Sequence, residues 1–181
     1  MLIGFFDTET TGLKAGTDRV IELALLVYDS ASRACVHRLV QRFDPECPIH
    51  PDALAVHGIT YGELVGQPKF RALAADVRKQ FESCDVTVAH NIEFDKGMLS
   101  AEFTAAGLAP FDFPGVDTMT QARWATPNGK WPKLGELCFA LGIDYDTTRA
   151  HAAEYDVEVM AQCFFRGLDL GFFTLPAGIA A

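Results

Sequence analysis

The order of predicted strands and helices is the feature that most constrains the fold of this 181-residue chain. Three predicted strands come first, and their spacing favours an antiparallel meander; they span Leu2–Phe6, Arg19–Tyr28 and Val36–Phe43. Predicted helices then alternate with two short strands, at Val86–Ala89 and at Val116. This order predicts an α/β fold in which helices pack against a mixed five-stranded sheet.

The predicted helices follow from amphipathic spacing and from residues that end a helix. Segment 70–81 is the clearest, because its apolar side chains fall on one stripe. Asn91 is expected to cap a helix that runs to about Ala106, where Gly107 ends it. Further helices are predicted over 52–56, 118–125, 134–141 and 150–170.

Length and composition predict a single domain. With 49% hydrophobic residues, the chain can bury one sizeable core, and we expect one domain over residues 1–170 and a tail of unassigned role over 171–181. The longest apolar runs are too short to span a membrane. Five scattered cysteines without a CxxC pair favour reduced thiols. Together these features predict a cytoplasmic protein that does not bind membranes.

The charge balance is acidic, with 15 basic and 24 acidic residues and a net charge of −9. A chain of this kind lacks the basic surface that drives tight non-specific binding to DNA or RNA. Taken alone, the charge argues against a protein that coats nucleic acid along its length.

Asp7 and Glu9 are the first candidate functional residues. They lie two positions apart at the end of the first strand, so their side chains share one face. Two neighbouring carboxylates repel each other unless a cation lies between them, and oxygen ligands favour Mg²⁺ or Mn²⁺. The alternative is a strand end in solvent with two ordinary surface acids.

Asp95 and Asp156 each begin the apolar face of a predicted helix. A carboxylate on a core-facing position needs a cationic partner. For Asp95 the alternative is a favourable interaction with the helix dipole. His151 lies five residues before Asp156 and is predicted on the preceding loop, where a neutral imidazole could deprotonate a water molecule. A loop histidine can equally be an ordinary surface residue.

Four strings together carry a resemblance to a known family: FDTETTGL (6–13), AVHGIT (55–60), VAHNIEFDKGML (88–99) and HAAEYDVEVM (151–160). They resemble the motifs of the DEDDh 3′→5′ exonucleases, a superfamily that includes the proofreading subunit of bacterial DNA polymerase III. The resemblance covers about residues 2–165. It implies a ribonuclease H-like fold and hydrolysis of nucleic acid from the 3′ end.

The resemblance also implies catalytic roles. The metal ligands would be Asp7, Glu9, Asp95 and Asp156, which would hold two Mg²⁺ or Mn²⁺ ions, and His151 would be the general base. The products would be nucleoside 5′-monophosphates. The implied substrate is the 3′ end of a nucleic acid, most simply single-stranded DNA, with a polymerase or another recruiting protein as a possible partner.

Substrate-binding positions are carried over from the same motifs. The resemblance places the backbone of Thr10 and Thr11 near the terminal 3′ hydroxyl, and apolar side chains of Leu13 and Ile59 against the terminal bases. The remaining implied contacts are His57, Asn91 and Phe94. Asn91 could instead be only a helix cap, and Phe94 only a core residue.

Several alternatives remain open at the level of sequence. An RNA-trimming enzyme of the same superfamily would carry the same catalytic set. The run FFDTETTG also resembles the nucleophile strand of an aspartyl-phosphate phosphatase, and a catalytically inactive nucleic-acid-binding module is a further possibility. The segment 129–134 (GKWPKL) either contacts the nucleic-acid strand or is a surface loop with Trp131 folded onto the core.

Overall fold

A computed structural model of the chain describes residues 1–176 and 178. Its centre is one five-stranded sheet in the order β3-β2-β1-β4-β5. The strands are β1 (Leu2–Thr10), β2 (Val20–Asp29), β3 (Cys35–Arg42), β4 (Val86–Ala89) and β5 (Gly115–Asp117). β1 pairs antiparallel with β2, and β2 with β3, whereas β4 lies parallel to both β1 and β5. The predicted mixed α/β sheet is therefore confirmed.

Helices cover both faces of the sheet. They are α1 (Pro51–His57), α2 (Tyr61–Leu64), α3 (Phe70–Glu82), α4 (Ile92–Ala105), α5 (Thr118–Gln121), α6 (Leu134–Leu141) and α7 (Ala153–Asp169), with a 3₁₀ turn at Arg123–Ala125. One buried cluster joins the sheet to α6 and α7, and a second joins its opposite face to α3 and α4.

β1 separates these two clusters because its side chains alternate. Ile3 and Phe5 pack in the cluster of α6 and α7, and Phe6 packs in the cluster of α3 and α4. The strand continues four residues beyond the predicted end at Phe6, since the polar residues after it keep their pairing with β2. Asp7 and Glu9 are consequently strand residues and share the face of Ile3 and Phe5.

Several predicted helix boundaries are wrong. The last helix begins at Ala153 rather than at 150, and the helix predicted over 118–125 is divided into α5 and the 3₁₀ turn. The short helix α2 was not predicted. Asn91 does precede α4, but it adopts a left-handed conformation and its side chain makes no capping hydrogen bond.

The tail predicted over residues 171–181 is described only in part, because residues 177 and 179–181 lie outside the described residues. Within the described part, Phe173 is buried and stacks on Phe164 of α7. The domain limits 1–170 stay a prediction. No helix in the described ranges has the length and apolar character needed to cross a bilayer.

Candidate active site

The candidate site forms where β1 continues past its parallel neighbour. β4 pairs with β1 only from Ile3 to Phe5, so the last residues of β1 have no strand on that side. The first turns of α4 and α7, which carry Asp95 and Asp156, lie at this open position. The charge of each of these two carboxylates acts on both Asp7 and Glu9. The fold therefore brings all four predicted acids together.

Asp95 binds directly to the unpaired part of β1. The backbone N–H of Thr8 donates to Asp95 Oδ1 at 3.0 Å, and the Thr8 hydroxyl donates to the same oxygen at 2.6 Å. The carboxylate thus accepts a hydrogen bond from a buried backbone N–H that would otherwise pair with a neighbouring strand. It also fixes the start of α4 against β1.

Asp156 and His151 are joined through the backbone. The His151 N–H donates to Asp156 Oδ2 at 3.0 Å, and the Tyr145 hydroxyl donates to Asp156 Oδ1 at 3.1 Å. His151 lies on the loop before α7, as predicted, is exposed, and adopts a left-handed backbone conformation with φ of 64°. The loop therefore holds the imidazole beside the acid cluster without requiring it to bind a metal.

Two other buried acids, Glu22 and Glu102, each have a basic partner, and the four candidate acids differ from them in this respect. Glu22 accepts a hydrogen bond from Arg42 Nε at 2.7 Å, and Glu102 accepts two from the Arg19 guanidinium. Within residues 1–176 and 178, no salt bridge reaches the four candidate acids, and the carboxylates of Asp7 and Glu9 accept no hydrogen bond. The four candidate acids therefore differ from Glu22 and Glu102 in lacking a basic partner among the described residues.

The electrostatic cost of the cluster is visible in its pKa values. Burial, together with the charge of Asp156, raises the pKa of Glu9 to about 8. Burial raises the pKa of Asp95 to about 7 even though Thr8 donates to its charged form. Burial and the neighbouring acids also raise the pKa of Asp7, and burial raises that of Asp156. Each shift disfavours the charged form when no cation is bound.

The donor set suits a hard divalent cation, because it consists of carboxylate oxygens without basic partners. In the described part of the chain, no group of three or more His, Cys, Asp or Glu side chains is placed so that it could hold a metal ion as it stands. Asp95 and Asp156 are held by hydrogen bonds, whereas Asp7 and Glu9 are not. Binding would therefore require movement, chiefly of Asp7 and Glu9.

The raised pKa values predict how the metal-free protein responds to pH. Well below pH 4, these acids are neutral in the folded and unfolded states, so they cost no stability. As the pH rises towards the folded-state pKa values of about 7 for Asp95 and about 8 for Glu9, only the unfolded state releases their protons. We expect the free energy of unfolding, measured with urea in EDTA, to fall from about pH 5 to about pH 8. Asp7→Asn should flatten this dependence, and a wild-type profile that rises over this interval would contradict the prediction.

Two cavities border three of the four acids. A cleft of about 1290 Å³ is lined by Asp7, Asp156 and His151. A second cavity of about 540 Å³ is lined by Glu9. Val56 of α1 lines both. Of the predicted substrate-binding residues, the second cavity is lined by Thr10, Leu13, His57 and Phe94.

The other three predicted substrate-binding residues line neither cavity. Ile59 is only 4% exposed and packs with Ile21 and Leu64, so its side chain is part of a small core. Thr11 is buried, and its hydroxyl accepts a hydrogen bond from the Arg19 N–H. Asn91 is exposed, and its N–H donates to Asp117 Oδ1. A base contact from the Ile59 side chain would need a rearrangement, whereas the predicted backbone contact of Thr11 and the predicted contact of Asn91 are not tested by these features, so all three roles stay predictions.

Trp131 is 59% exposed and lines the large cleft, so the alternative that it folds onto the core is wrong. Sequence reasoning also missed Phe139, which is 88% exposed on α6 and lines the same cleft. The sequence does indicate an outward-facing aromatic residue here, because Phe139 lies off the buried stripe of Leu137, Cys138 and Leu141 in the helix 134–141.

Glu22 and Tyr145 were missed as well. Glu22 lies opposite Glu9 in the β1–β2 register, and its charge helps to raise the pKa of Glu9. The strand pattern predicts the pairing of β1 with β2 but not its register, so this contact was not readable. Tyr145 lies in a loop, and its contact with Asp156 depends on how that loop folds back over α7.

A five-stranded mixed sheet with an acid cluster at one end of its central strand defines the class of ribonuclease H-like nucleases. Comparison with known proteins agrees with this class. The exonuclease family RNase_T matches residues 5–164. The chain therefore belongs to this exonuclease family, and the predictions of DEDDh-type ancestry and of a 3′→5′ exonuclease enzyme are confirmed. The aspartyl-phosphate phosphatase alternative is correspondingly wrong.

The chain is similar to replication proteins. It is 34% identical over 161 residues to the DNA polymerase III epsilon subunit of Treponema pallidum, covering 88% of this chain and 73% of that protein. It is 35% identical over 156 residues to the PolC-type DNA polymerase III of Bacillus cereus, covering 84% of this chain but only 10% of that protein. The chain thus spans a small fraction of the polymerase itself.

Solved structures share the fold. Escherichia coli exonuclease I in complex with a dT13 oligonucleotide matches with a TM-score of 0.77 and 22% identity, over 94% of this chain and 42% of that one. Exonuclease X in complex with 5′-overhanging duplex DNA matches with a TM-score of 0.71 and 24% identity, over 96% and 95% of the two chains. These matches confirm the ribonuclease H-like architecture.

Proposed function

We propose that this chain is a divalent-metal-dependent exonuclease that releases nucleoside 5′-monophosphates from the 3′ ends of single-stranded DNA. The observation that carries the proposal is the set of four carboxylates that lack basic partners, three of which border the two cavities. Such a set is costly in isolation and useful only with cations and a phosphate beside it.

The proposed metal-holding residues are the four acids of the cluster. Asp7, Glu9, Asp95 and Asp156 would each supply carboxylate oxygens to the ions, and Asp7 is the acid on which the charges of the other three act. When bound, two Mg²⁺ or Mn²⁺ ions would polarise the scissile phosphate and make the attacking water more acidic. The protein's part is to hold these oxygen atoms at the end of β1.

His151 is the proposed general base. It lines the cleft together with Asp7 and Asp156, and its backbone is held on the Asp156 carboxylate at 3.0 Å. Its exposed imidazole can accept a proton from the attacking water and release it to solvent. The histidine then acts on the water and leaves the metal ligands unchanged.

The smaller cavity is the proposed site of the terminal nucleotide. Glu9 and Thr10 line it on the side of β1, and the apolar surface of Leu13 and Phe94 faces the same space. This combination offers polar contacts for a sugar and a flat apolar surface for a base without selecting its identity. His57 lines the same cavity, with its Nδ1 occupied by the Ile59 N–H.

The large cleft is the proposed path of the preceding nucleotides. Trp131 and Phe139 present exposed aromatic surface to it, and Lys133 lines it between them in sequence. Bases stack on such surfaces without sequence preference, and a lysine can meet a backbone phosphate. This assigns the segment 129–134 to substrate binding.

Aromatic truncation tests this path. Because base–aromatic stacking contributes about 1–3 kcal/mol per base, Trp131→Ala and Phe139→Ala should each raise the KM for a single-stranded oligonucleotide about tenfold, with a smaller change in kcat. The matched control is Trp124→Ala, since Trp124 is partly exposed but stacks on Phe172 and lines no part of the cleft. Steady-state kinetics on a long strand and on a dinucleotide measure the effect. An equal loss on the dinucleotide would contradict a role with upstream bases.

The choice of DNA rests on the relatives, which are named DNA polymerase III subunits and exonucleases bound to DNA. Matched 5′-labelled DNA and RNA strands with Mg²⁺ provide the test. We expect a ladder of shortened DNA products and a much slower RNA ladder. Shortening of RNA alone would establish the RNA-trimming alternative, and binding without shortening of either strand would establish the inactive binding module.

The acidic charge bears on processivity and on partners. Two divalent cations would offset only four of the nine net negative charges, so we expect a local hold on the strand end and distributive cleavage. Recruitment by a polymerase would compensate for this weak binding, in line with the epsilon-subunit relative. Adding excess unlabelled strand during digestion should stop further shortening of the labelled one; continued shortening would show processive cleavage. A cytoplasmic location stays a prediction.

A further inference from the structure

Asp156 differs from the other candidate acids in how firmly it is held. Both of its oxygen atoms accept hydrogen bonds, from the Tyr145 hydroxyl at 3.1 Å and from the His151 N–H at 3.0 Å. Asp7 and Glu9 accept none, and Asp95 is bound through one oxygen only. Asp156 is thus the acid whose carboxylate plane is set in advance by the protein.

Tyr145 is itself fixed by several contacts. Its ring stacks on that of Tyr155, with the centroids 5.8 Å apart and an interplanar angle of 29°. The Asp146 N–H donates to the Tyr155 hydroxyl at 2.5 Å, and the Arg149 guanidinium lies over the Tyr155 ring at 4.2 Å. The loop that carries Tyr145 is therefore tied to the first turn of α7 at more than one point.

Gly135 of α6 provides the space for this ring. A Cβ atom placed on Gly135 would lie 3.0 Å from both Cδ1 and Cε1 of Tyr145. That is closer than carbon atoms usually pack, so a side chain at position 135 would require a small shift of the ring. The close approach of α6 to the loop therefore depends on a glycine at this position.

We propose that Tyr145 is a positioning residue that orients the Asp156 carboxylate for metal binding and ties it to the loop bearing His151. The inference rests on the proposed function, because it treats Asp156 as a metal ligand. Hydrogen-bonded partners of a ligating carboxylate restrict its rotation, and their removal typically costs about 10–100-fold in metal affinity. The Tyr145 hydroxyl and the His151 N–H thus hold the two oxygen atoms of Asp156 from the same loop.

The test is a calorimetric titration of the full chain with Mn²⁺ in the absence of nucleic acid. Tyr145→Phe removes only the hydroxyl and should weaken Mn²⁺ binding about 10–100-fold. Gly135→Ala keeps the hydroxyl but requires a small shift of the ring, and should weaken binding in the same direction. Circular dichroism and urea unfolding in EDTA establish that each variant folds.

Tyr155→Phe is the matched control, since it removes a hydroxyl from the stacked ring that does not touch Asp156. It should leave Mn²⁺ affinity near that of the wild type. Unchanged or tighter binding by Tyr145→Phe would overturn the inference and leave the proposed function standing. An equal loss in Tyr155→Phe would overturn it too, because the loop and not the hydroxyl would then be responsible. Failure of the wild-type chain to bind Mn²⁺ would overturn the proposed function together with the inference.

Discussion

Asp7→Asn should abolish measurable cleavage while making the metal-free protein more stable. Burial and the charges of Asp95, Glu9 and Asp156 all raise the pKa of Asp7, so the metal-free fold must keep a proton on it, and an asparagine, which is neutral at every pH, avoids that cost. Loss of one electrostatic stabiliser of a transition state costs about 10²–10³-fold in rate, and loss of a proposed metal ligand at the reacting centre should cost at least as much. Because the raised pKa of Asp7 is a cost to the metal-free folded state, we expect the free energy of unfolding in EDTA at neutral pH to rise.

These opposite changes distinguish a metal site from a structural cluster. Cleavage is followed on a 5′-labelled strand, and stability by urea unfolding with EDTA and with Mg²⁺. Asp76→Asn, which alters an exposed aspartate on the outer side of α3, should change neither quantity. If Asp7→Asn destabilised the metal-free protein severely, the carboxylate would be holding the fold and the metal-site interpretation would be wrong.

His151→Asn should slow cleavage by about 10²–10⁴-fold, the usual contribution of a general base. Asparagine is the informative replacement because His151 has φ of 64°, a left-handed conformation that asparagine tolerates better than alanine. The backbone N–H that donates to Asp156 is retained in this variant. The imidazole is therefore removed while the loop and the acid keep their positions.

The expected signature is a fall in kcat at nearly unchanged Mn²⁺ affinity and KM. Single-turnover cleavage and Mn²⁺ calorimetry measure the two effects separately, and His37→Ala on the exposed strand β3 serves as the control. A comparable loss of Mn²⁺ affinity would show that His151 acts on the metal site, and an undiminished kcat would exclude it as the base.

The acids of the candidate site were readable because each breaks a local pattern. Asp7 and Glu9 share a face of a buried strand, and Asp95 and Asp156 occupy core-facing positions of two helices. Burying a charge without a partner is costly, so such residues stand out against hydrophobic periodicity. His151 was placed correctly on the loop, although the helix after it begins three residues later than predicted.

Other parts of the site depend on contacts between distant segments. Ile59 has the same apolar character as Leu13, yet Ile59 is buried in a small core whereas Leu13 is exposed beside Glu9. Phe139 faces the cleft only because α6 packs its other side on α7. Tyr145 reaches Asp156 only because its loop folds back over the start of α7. Spacing along the chain cannot distinguish these cases.

By itself, the amino-acid sequence predicted the five strands and the main helices from local periods, and it marked the four candidate acids as charges in an apolar pattern; His151 was added by the resemblance of its motif. The tertiary structure decided which acids keep basic partners, how the two cavities divide between Asp7 and Glu9, and which aromatic side chains border them. The physical reason is distance along the chain. A periodic pattern, and the cost of a charge within it, can be recognised from residues that are close together in sequence. Strand register, helix packing and the hydrogen bonds that fix a carboxylate join residues far apart, as Thr8 joins Asp95 across 87 positions.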